Sequence, residues 1–459
     1  MARRMRLSRR RWIVVAVLVI LAGVAAAVLA RPEPGPPRAP ITADQRALAA
    51  IAAQAGATDI ATNRRPDGGM TLAGKLAGRQ FGIAVPADWN GQAVLFAGGY
   101  SIPGTPISMA SDLIFKDPSG GTLTKAYGEG FAVGQSVFDK SAVAVKSGVE
   151  NTLRLRGLLQ RMGATRFFAI GGSMGGNIVL GLIERHPAAF AGAISACGVT
   201  DSWQSEIGKL TDLRATYNYY TAGTRYALPG DKDIAANALD PIPPAGLGAI
   251  RTPWVFMQVS RLSSPIAKLF KAARERPDGD EARIVARIAS INGVPEDPAS
   301  FMFPIMTAAV GMDDMRATFG GNVYGNDAKV YASPLLSAAD ARALNAGIQR
   351  IRADAAAQPF ANDWHASTGR FAVPLVVVHN RHDSLVFLDQ AIALRDKARA
   401  AGNMGNLLVL VAPSMVRPIP GTGLDGYAHC GFTPGQAGKI WTIVRDWVET
   451  GRKPQAERF

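Results

Sequence analysis

The run Gly171-Gly172-Ser173-Met174-Gly175-Gly176 sets a serine in the spacing Gly-x-Ser-x-Gly. A serine hydroxyl is a poor nucleophile until a neighbouring base takes its proton. The glycines suit a turn too tight for side chains. The pattern alone is weak evidence in a chain with 49 glycines. Its flanks carry the weight. Arg166-Phe167-Phe168-Ala169-Ile170 reads as a buried strand, and Asn177 to Arg185 as a helix ending at His186-Pro187. A strand–turn–helix raises the serine on a strained elbow and aims the first N–H groups of the helix at it, where they favour developing negative charge. The chemistry implied is acyl transfer through Ser173.

Such a serine needs a base and an acid, which follow it in the order serine, acid, histidine when the serine sits on this kind of elbow. The chain has five histidines. His186 ends the helix after the serine, His365 falls in a region without strand–helix rhythm, and His379 and His382 share the loop that should carry the acid. His429, in Gly426-Tyr427-Ala428-His429-Cys430-Gly431, remains as the base. Asp383, after the apolar run Leu375–Val378, is the expected acid and would hold the imidazole in one tautomer; Asp201 competes with it. His379, His382 and Asp383 on one short loop offer no tetrahedral set, so no metal is expected. No cofactor is expected either. The oxyanion donors should be the N–H of Met174 and one from Gly98-Gly99-Tyr100, with Gly99 and then Tyr100 preferred.

The elements around these residues form a consistent frame. Phe81–Pro86, Ala93–Ala97 and Phe131–Gly134 have strand length, and Lys146 to Met162 has helical period. Ala191–Ala196, Val373–Val378 and Leu407–Val411 add strands; Leu388 to Ala401 and Gln436 to Val448 add helices. This alternation predicts an α/β fold with a mostly parallel, doubly wound sheet. It stops between residues 200 and 369, which predicts a large, mainly helical cap inserted into a core of residues 75–199 plus 370–455. Residues 31–74 are expected to be a proline-rich spacer and N-terminal extension. Tyr217, Tyr219 and Phe303, with Tyr220, Phe301, Met302 and Met306 near them, are expected either to line an apolar substrate pocket or to form the cap's own core.

With the elbow, Asp383 and His429 in place, the chain resembles the α/β-hydrolase superfamily over about residues 75–199 and 370–455. That resemblance implies an eight-stranded, mostly parallel sheet and a two-step mechanism through an acyl-enzyme. Two narrower likenesses diverge. His429-Cys430 resembles the tannase and feruloyl esterase family, whose cysteines adjoin both the catalytic serine and histidine, although Gly172 stands before Ser173 here. Gly-Gly-Ser-Met-Gly-Gly with a long cap resembles homoserine O-acetyltransferases. Cys197 and Cys430 would both lie at the carboxyl edge of the sheet, as a disulfide tying the histidine loop to the core or as two separate thiols.

The formal charge of +14 is not a nucleic-acid signature. Six arginines before residue 31, with no acid among them, leave +8 for the rest, dispersed among acids. This basic head precedes an apolar run from Trp12 to Ala30 and then Arg31-Pro32-Glu33-Pro34-Gly35-Pro36-Pro37, the order of an export signal. As a helix the run would rise about 28 Å, enough to span a bilayer core. Residues 1–30 are therefore expected to be a signal peptide or a membrane anchor, with the body exported to the periplasm or secreted. The function expected is a serine hydrolase acting on a small-molecule or oligomeric carboxylic ester. A peptidase or amidase, an acyltransferase, and a binding protein on the same scaffold are the alternatives.

Overall fold

The computed structural model describes residues 43–455, apart from 106, 108, 110, 111, 231, 232 and 240–247. The expected signal or anchor at residues 1–30 lies outside the described residues. Among those described, no helix is long and apolar enough to cross a membrane.

Nine strands form one sheet: β1 (Thr58–Arg64), β2 (Met70–Leu76), β3 (Arg79–Val85), β4 (Gln92–Ala97), β5 (Ala132–Ser136), β6 (Arg166–Gly172), β7 (Gly192–Ala196), β8 (Leu375–Asn380) and β9 (Leu407–Ala412). Their order is β1-β2-β3-β5-β4-β6-β7-β8-β9. Pairing is antiparallel from β1 to β5 and parallel from β5 through β4 to β9.

The parallel strands are apolar on both faces because helices cover both. In β4, Ala93, Leu95 and Ala97 enter one core while Val94 and Phe96 enter the other; in β8, Leu375 and Val377 oppose Val376 and Val378 in the same way. The first core is closed by α1 (Ala43–Gln54), α3 (Val145–Arg161), α4 (Met174–Arg185) and α11 (Asp389–Ala400). The second is closed by α2 (Thr122–Tyr127) and α12 (Pro434–Thr450), where Trp441 meets Phe131 and Phe168 edge-on at 5.0 and 5.2 Å. Strands β2 to β9 are the eight that the resemblance implies, and β4 and β5 exchange places in the order. The chain has the α/β-hydrolase fold.

One boundary differs from expectation. The sheet begins at Thr58, so the stretch read as extension up to residue 74 contributes β1 and most of β2, and Ala52 of α1 is buried in the first core. A short hairpin, β10 (Val416–Ile419) and β11 (Leu424–Tyr427), stands between β9 and His429.

Between β7 and β8 the described residues form no strand but six α-helices: α5 (Trp203–Thr221), α6 (Gly248–Glu275), α7 (Asp280–Asn292), α8 (Pro298–Phe319), α9 (Ala338–Gly347) and α10 (Gln358–His365). They enclose a core of their own, with Leu213, Leu262, Ile266, Phe270, Ile288, Phe301 and Ile305 buried together. The Asp212 carboxylate on α5 pins the loop between α8 and α9 by accepting from Tyr324, Tyr331 and Lys329. Gly311 on α8 lies against the core: a Cβ there would stand 2.6 Å from the Tyr100 hydroxyl.

Candidate active site

Ser173, Cys197, Asp383 and the Gly98-Gly99 loop all follow the carboxyl ends of parallel strands (β6, β7, β8 and β4), the edge at which open α/β sheets build sites. At Ser173 the backbone takes φ 56° and ψ −127°, a conformation L-residues rarely adopt, and α4 starts one residue later. The glycines are required by contact. A Cβ at Gly171 would lie 2.4 Å from the Gly175 carbonyl oxygen, and one at Gly175 would lie 2.1 Å from that of Ala97. The turn is held on both sides: Ser173 N–H donates to Ala196 O at 3.0 Å, and Gly176 and Val199 N–H donate to Ser173 O at 3.0 and 3.2 Å.

His429 Nδ1 stands 2.7 Å from Asp383 Oδ1. That oxygen also accepts from Leu385 and Val386 N–H at 2.9 and 3.1 Å, and Oδ2 accepts from Cys430 N–H at 2.8 Å. Burial alone would raise the Asp383 carboxyl. The charge and hydrogen bond of His429, with the Cys430 N–H, outweigh that effect and hold it below the usual carboxylate range. An ionised Asp383 then requires the proton on Nδ1, leaving His429 Nε2 as the acceptor. Asn380 steadies the loop by exchanging two bonds with Gly431, at 3.0 and 2.9 Å.

Cys197 and Cys430 form a disulfide with Cα atoms 5.4 Å apart. A Cβ at Gly172 would lie 3.7 Å from Cys430 Sγ, so the residue before Ser173 and the residue after His429 touch. The bonded partner of Cys430 stands at the end of β7, beside the strand that leads to Ser173.

Gly99 is exposed, and its Cβ position lies 3.5 Å from Ser173 Cβ and 3.9 Å from Ser173 Oγ. Ser173 and His429 are half-buried, so the three border an open surface. Met174 occupies the first position of α4, where an N–H has no acceptor one turn back. The Tyr100 ring turns towards the cap, 6.4 Å from that of Trp203.

His365, His382 and Asp201 make other contacts, and His379 lies near enough to Asp383 for their charges to interact. His365 is wedged between Phe319 and Phe360, and burial brings its pKa down to about 4. His379 is buried with Nδ1 against Asn380 O, and burial lowers its pKa. His382 stacks on Tyr427. Asp201 pairs with Lys397 at 2.7 Å.

Of the two expectations for the cap aromatics, Tyr217 meets that of the cap's own core. Tyr217 is fully buried and donates to Tyr226 O at 2.9 Å, within the cap's core. Tyr219 packs edge-on against Tyr220 and beneath Gly347, and Phe303 packs on the core around Phe301. Tyr217 is thus part of the cap's own core, while Tyr219 and Phe303 are half-buried at the edges of the cap's cores.

Two residues near the site escape a sequence reading. Glu206, on the first turns of α5, is buried with Gln390 Nε2 donating to it at 3.3 Å. Burial, then the charges of Asp389 and Asp383, push its carboxyl well above the usual range. Asp297 caps α8 through Ser300 and accepts from Tyr427 N–H at 3.1 Å, joining the cap to the histidine loop. The motif Asp297-Pro298 was a readable helix start; nothing in the sequence marks Glu206 as a neighbour of Asp383.

No family model matches the chain, and no curated protein matches it. Among solved structures it is similar to feruloyl esterase B from Aspergillus oryzae, at 12% identity and TM-score 0.46, over 84% of this chain and 81% of that one. It is similar to the rice cell wall degrading esterase LipA from Xanthomonas oryzae, at 9% identity and TM-score 0.39, over 89% and 96%. A thermophilic esterase from Thermogutta terrifontis aligns at 14% identity and TM-score 0.34, over 86% and 99%.

Proposed function

We propose that this α/β-hydrolase-fold chain cleaves a carboxylic ester through Ser173, His429 and Asp383. The observation that carries the reading is Ser173 held at φ 56° between strand and helix, with the His429–Asp383 pair tied by the Cys430–Cys197 disulfide to the end of the neighbouring strand β7. In this mechanism Ser173 Oγ attacks the ester carbonyl as its proton passes to His429 Nε2, with Asp383 stabilising the imidazolium. The Met174 and Gly99 N–H groups receive the oxyanion. The tetrahedral adduct expels the alcohol, which takes the proton from His429. Water, deprotonated by the same nitrogen, then releases the acid and restores the hydroxyl. The disulfide supports export to an oxidising compartment.

A fluorophosphonate probe tests the reading directly. It should modify Ser173, as located by peptide mass spectrometry, and Ser173→Ala should abolish labelling. Folded protein that stays unlabelled refutes the serine mechanism. Hydrolysis of nitrophenyl esters but not of aminoacyl-nitroanilides separates an esterase from a peptidase.

A further inference from the structure

Both proposed oxyanion donors lean on the cap through one helix. Tyr100 follows Gly99, and its hydroxyl is buried against α8 with no hydrogen-bond partner among the described residues. A buried phenol usually finds one, so this ring is held by packing and not by its polar end. Its seat is Gly311, where a Cβ would stand 2.6 Å from the hydroxyl. Glycine inside a helix is destabilising relative to alanine; here it makes the space that the ring fills. Trp203, the first residue of α5, borders the same ring at 6.4 Å between centroids.

One turn further along α8, Asp314 makes a second contact. Its carboxylate accepts from Val143 N–H at 3.3 Å and from Lys140 Nζ at 2.7 Å. The turn so held is strained, because Ala142 takes φ 67°, in the left-handed region that alanine rarely adopts. The other side of this turn backs the proposed site. Ala142 N–H donates to Ser101 O at 3.1 Å, and Ala144 N–H donates to Met174 Sδ at 3.4 Å.

We propose that α8 sets the oxyanion hole: Gly311 seats Tyr100 behind Gly99, and Asp314 holds the strained turn that fixes Ser101 and Met174. Gly311, Asp314 and the Tyr100 ring are positioning residues, and only the Met174 and Gly99 N–H groups meet the oxyanion. Donors aimed before the charge develops cost no reorganisation at the moment of reaction. Two contacts on one rigid helix aim both of them. A cap that lifted would take the loop with it, so α8 stays seated through turnover. This role rests on the esterase reading of Ser173.

The test uses the full chain and nitrophenyl esters. Gly311→Ala should lower kcat by about 10- to 100-fold, short of the roughly 10²–10³ lost with a whole donor. KM should stay within about twofold, since the weakened interaction is made only in the transition state. Tyr100→Phe removes the oxygen that the new Cβ meets, and the next atoms are Met315 Cε at 3.2 Å and the ring Cζ at 3.8 Å. The double variant Tyr100→Phe, Gly311→Ala should therefore recover most of the kcat that Gly311→Ala loses. Asp314→Ala should lower kcat in the same way, and Gly157→Ala should leave it unchanged. An ester with sulfur in place of the carbonyl oxygen reports on the hole itself, because sulfur accepts N–H bonds weakly. The wild type should prefer the oxygen ester, and Gly311→Ala should narrow that preference.

Full kcat in a folded Gly311→Ala overturns the proposal, as does a lost kcat that Tyr100→Phe fails to restore or a fall that leaves the oxygen preference intact. If Gly311→Ala does not fold and Tyr100→Phe restores folding, the seat is upheld and Asp314→Ala decides the effect on kcat. A wild type that hydrolyses no ester and takes no fluorophosphonate refutes the esterase reading and this role together. An active wild type with unaffected variants refutes this role alone.

Discussion

The backbone N–H of Cys430 donates to Asp383 Oδ2 at 2.8 Å, while its neighbour His429 faces Oδ1 of the same carboxylate at 2.7 Å. One residue thus serves both the acid and, through its sulfur, the end of β7. The Asp383 carboxylate, the histidine loop and the end of β7, the strand beside the one that carries Ser173, are braced together at one point.

That bracing predicts the effect of Cys430→Ser. The N–H to Asp383 survives, but the cross-link is lost. Stability should fall by about 2–4 kcal/mol, read by urea denaturation. Hydrolysis should fall mainly in kcat, because the loop that aims His429 is loosened while the substrate surface stays. A variant with unchanged kcat would show that Asn380 and Asp383 alone fix the loop.

Asp383→Asn keeps the shape of the acid and removes its charge. The amide cannot enforce Nδ1–H on His429, and kcat should fall by about 10³–10⁴ with little change in KM. The variant also reports on stability. Asp383 has its folded pKa held below the unfolded value of about 3.9. Its contribution is therefore complete above that value and is lost as pH falls through the folded pKa. The stability deficit of Asp383→Asn should accordingly shrink in acid, as followed by thermal denaturation across pH.

The glycines separate site geometry from ordinary helix propensity. Gly175→Ala drives a Cβ to 2.1 Å from Ala97 O and should cost about 3 kcal/mol or more, since backbone on both sides must move. Gly157, inside α3, has nothing within 4 Å of the added atom. Gly157→Ala should stabilise by about 0.5–1 kcal/mol. Chemical denaturation of the two variants reads both signs.

The same contrast shows how far the sequence is legible. The elements around Ser173 are readable because a buried parallel strand such as Phe167–Ile170 is apolar without a break and stops at glycines. Leu375–Val378 is readable for the same reason. Thr58–Arg64 is not: it is an edge strand, exposed along most of its length, and carries no alternating pattern. Hairpin β10–β11 is hidden by Pro418, which suits only a sheet with free edges. The tyrosines of α5 mislead because aromatic type says nothing about facing. Whether Tyr217 meets a substrate or Leu262 depends on how α6 to α8 pack, which is a long-range fact.

Glu206 is the clearest case of chemistry created by packing, and its sign can be tested. Its carboxyl is buried, near Asp383 and Asp389, and is held neutral in the folded chain at pH values where the unfolded chain ionises it. Between the unfolded value, about 4.3, and the raised folded value, the native state binds more protons than the unfolded state. Stability therefore falls as pH rises through that window, by up to about 1.4 kcal/mol per pH unit for one proton. Glu206→Gln keeps an oxygen for Gln390 and cannot ionise. It should match the wild type below the unfolded value, about 4.3, and become progressively more stable than it as pH rises above that value, in urea midpoints measured at each pH. A constant difference across that range would mean that Glu206 is charged in the folded protein and that its neighbours, not its burial, govern it.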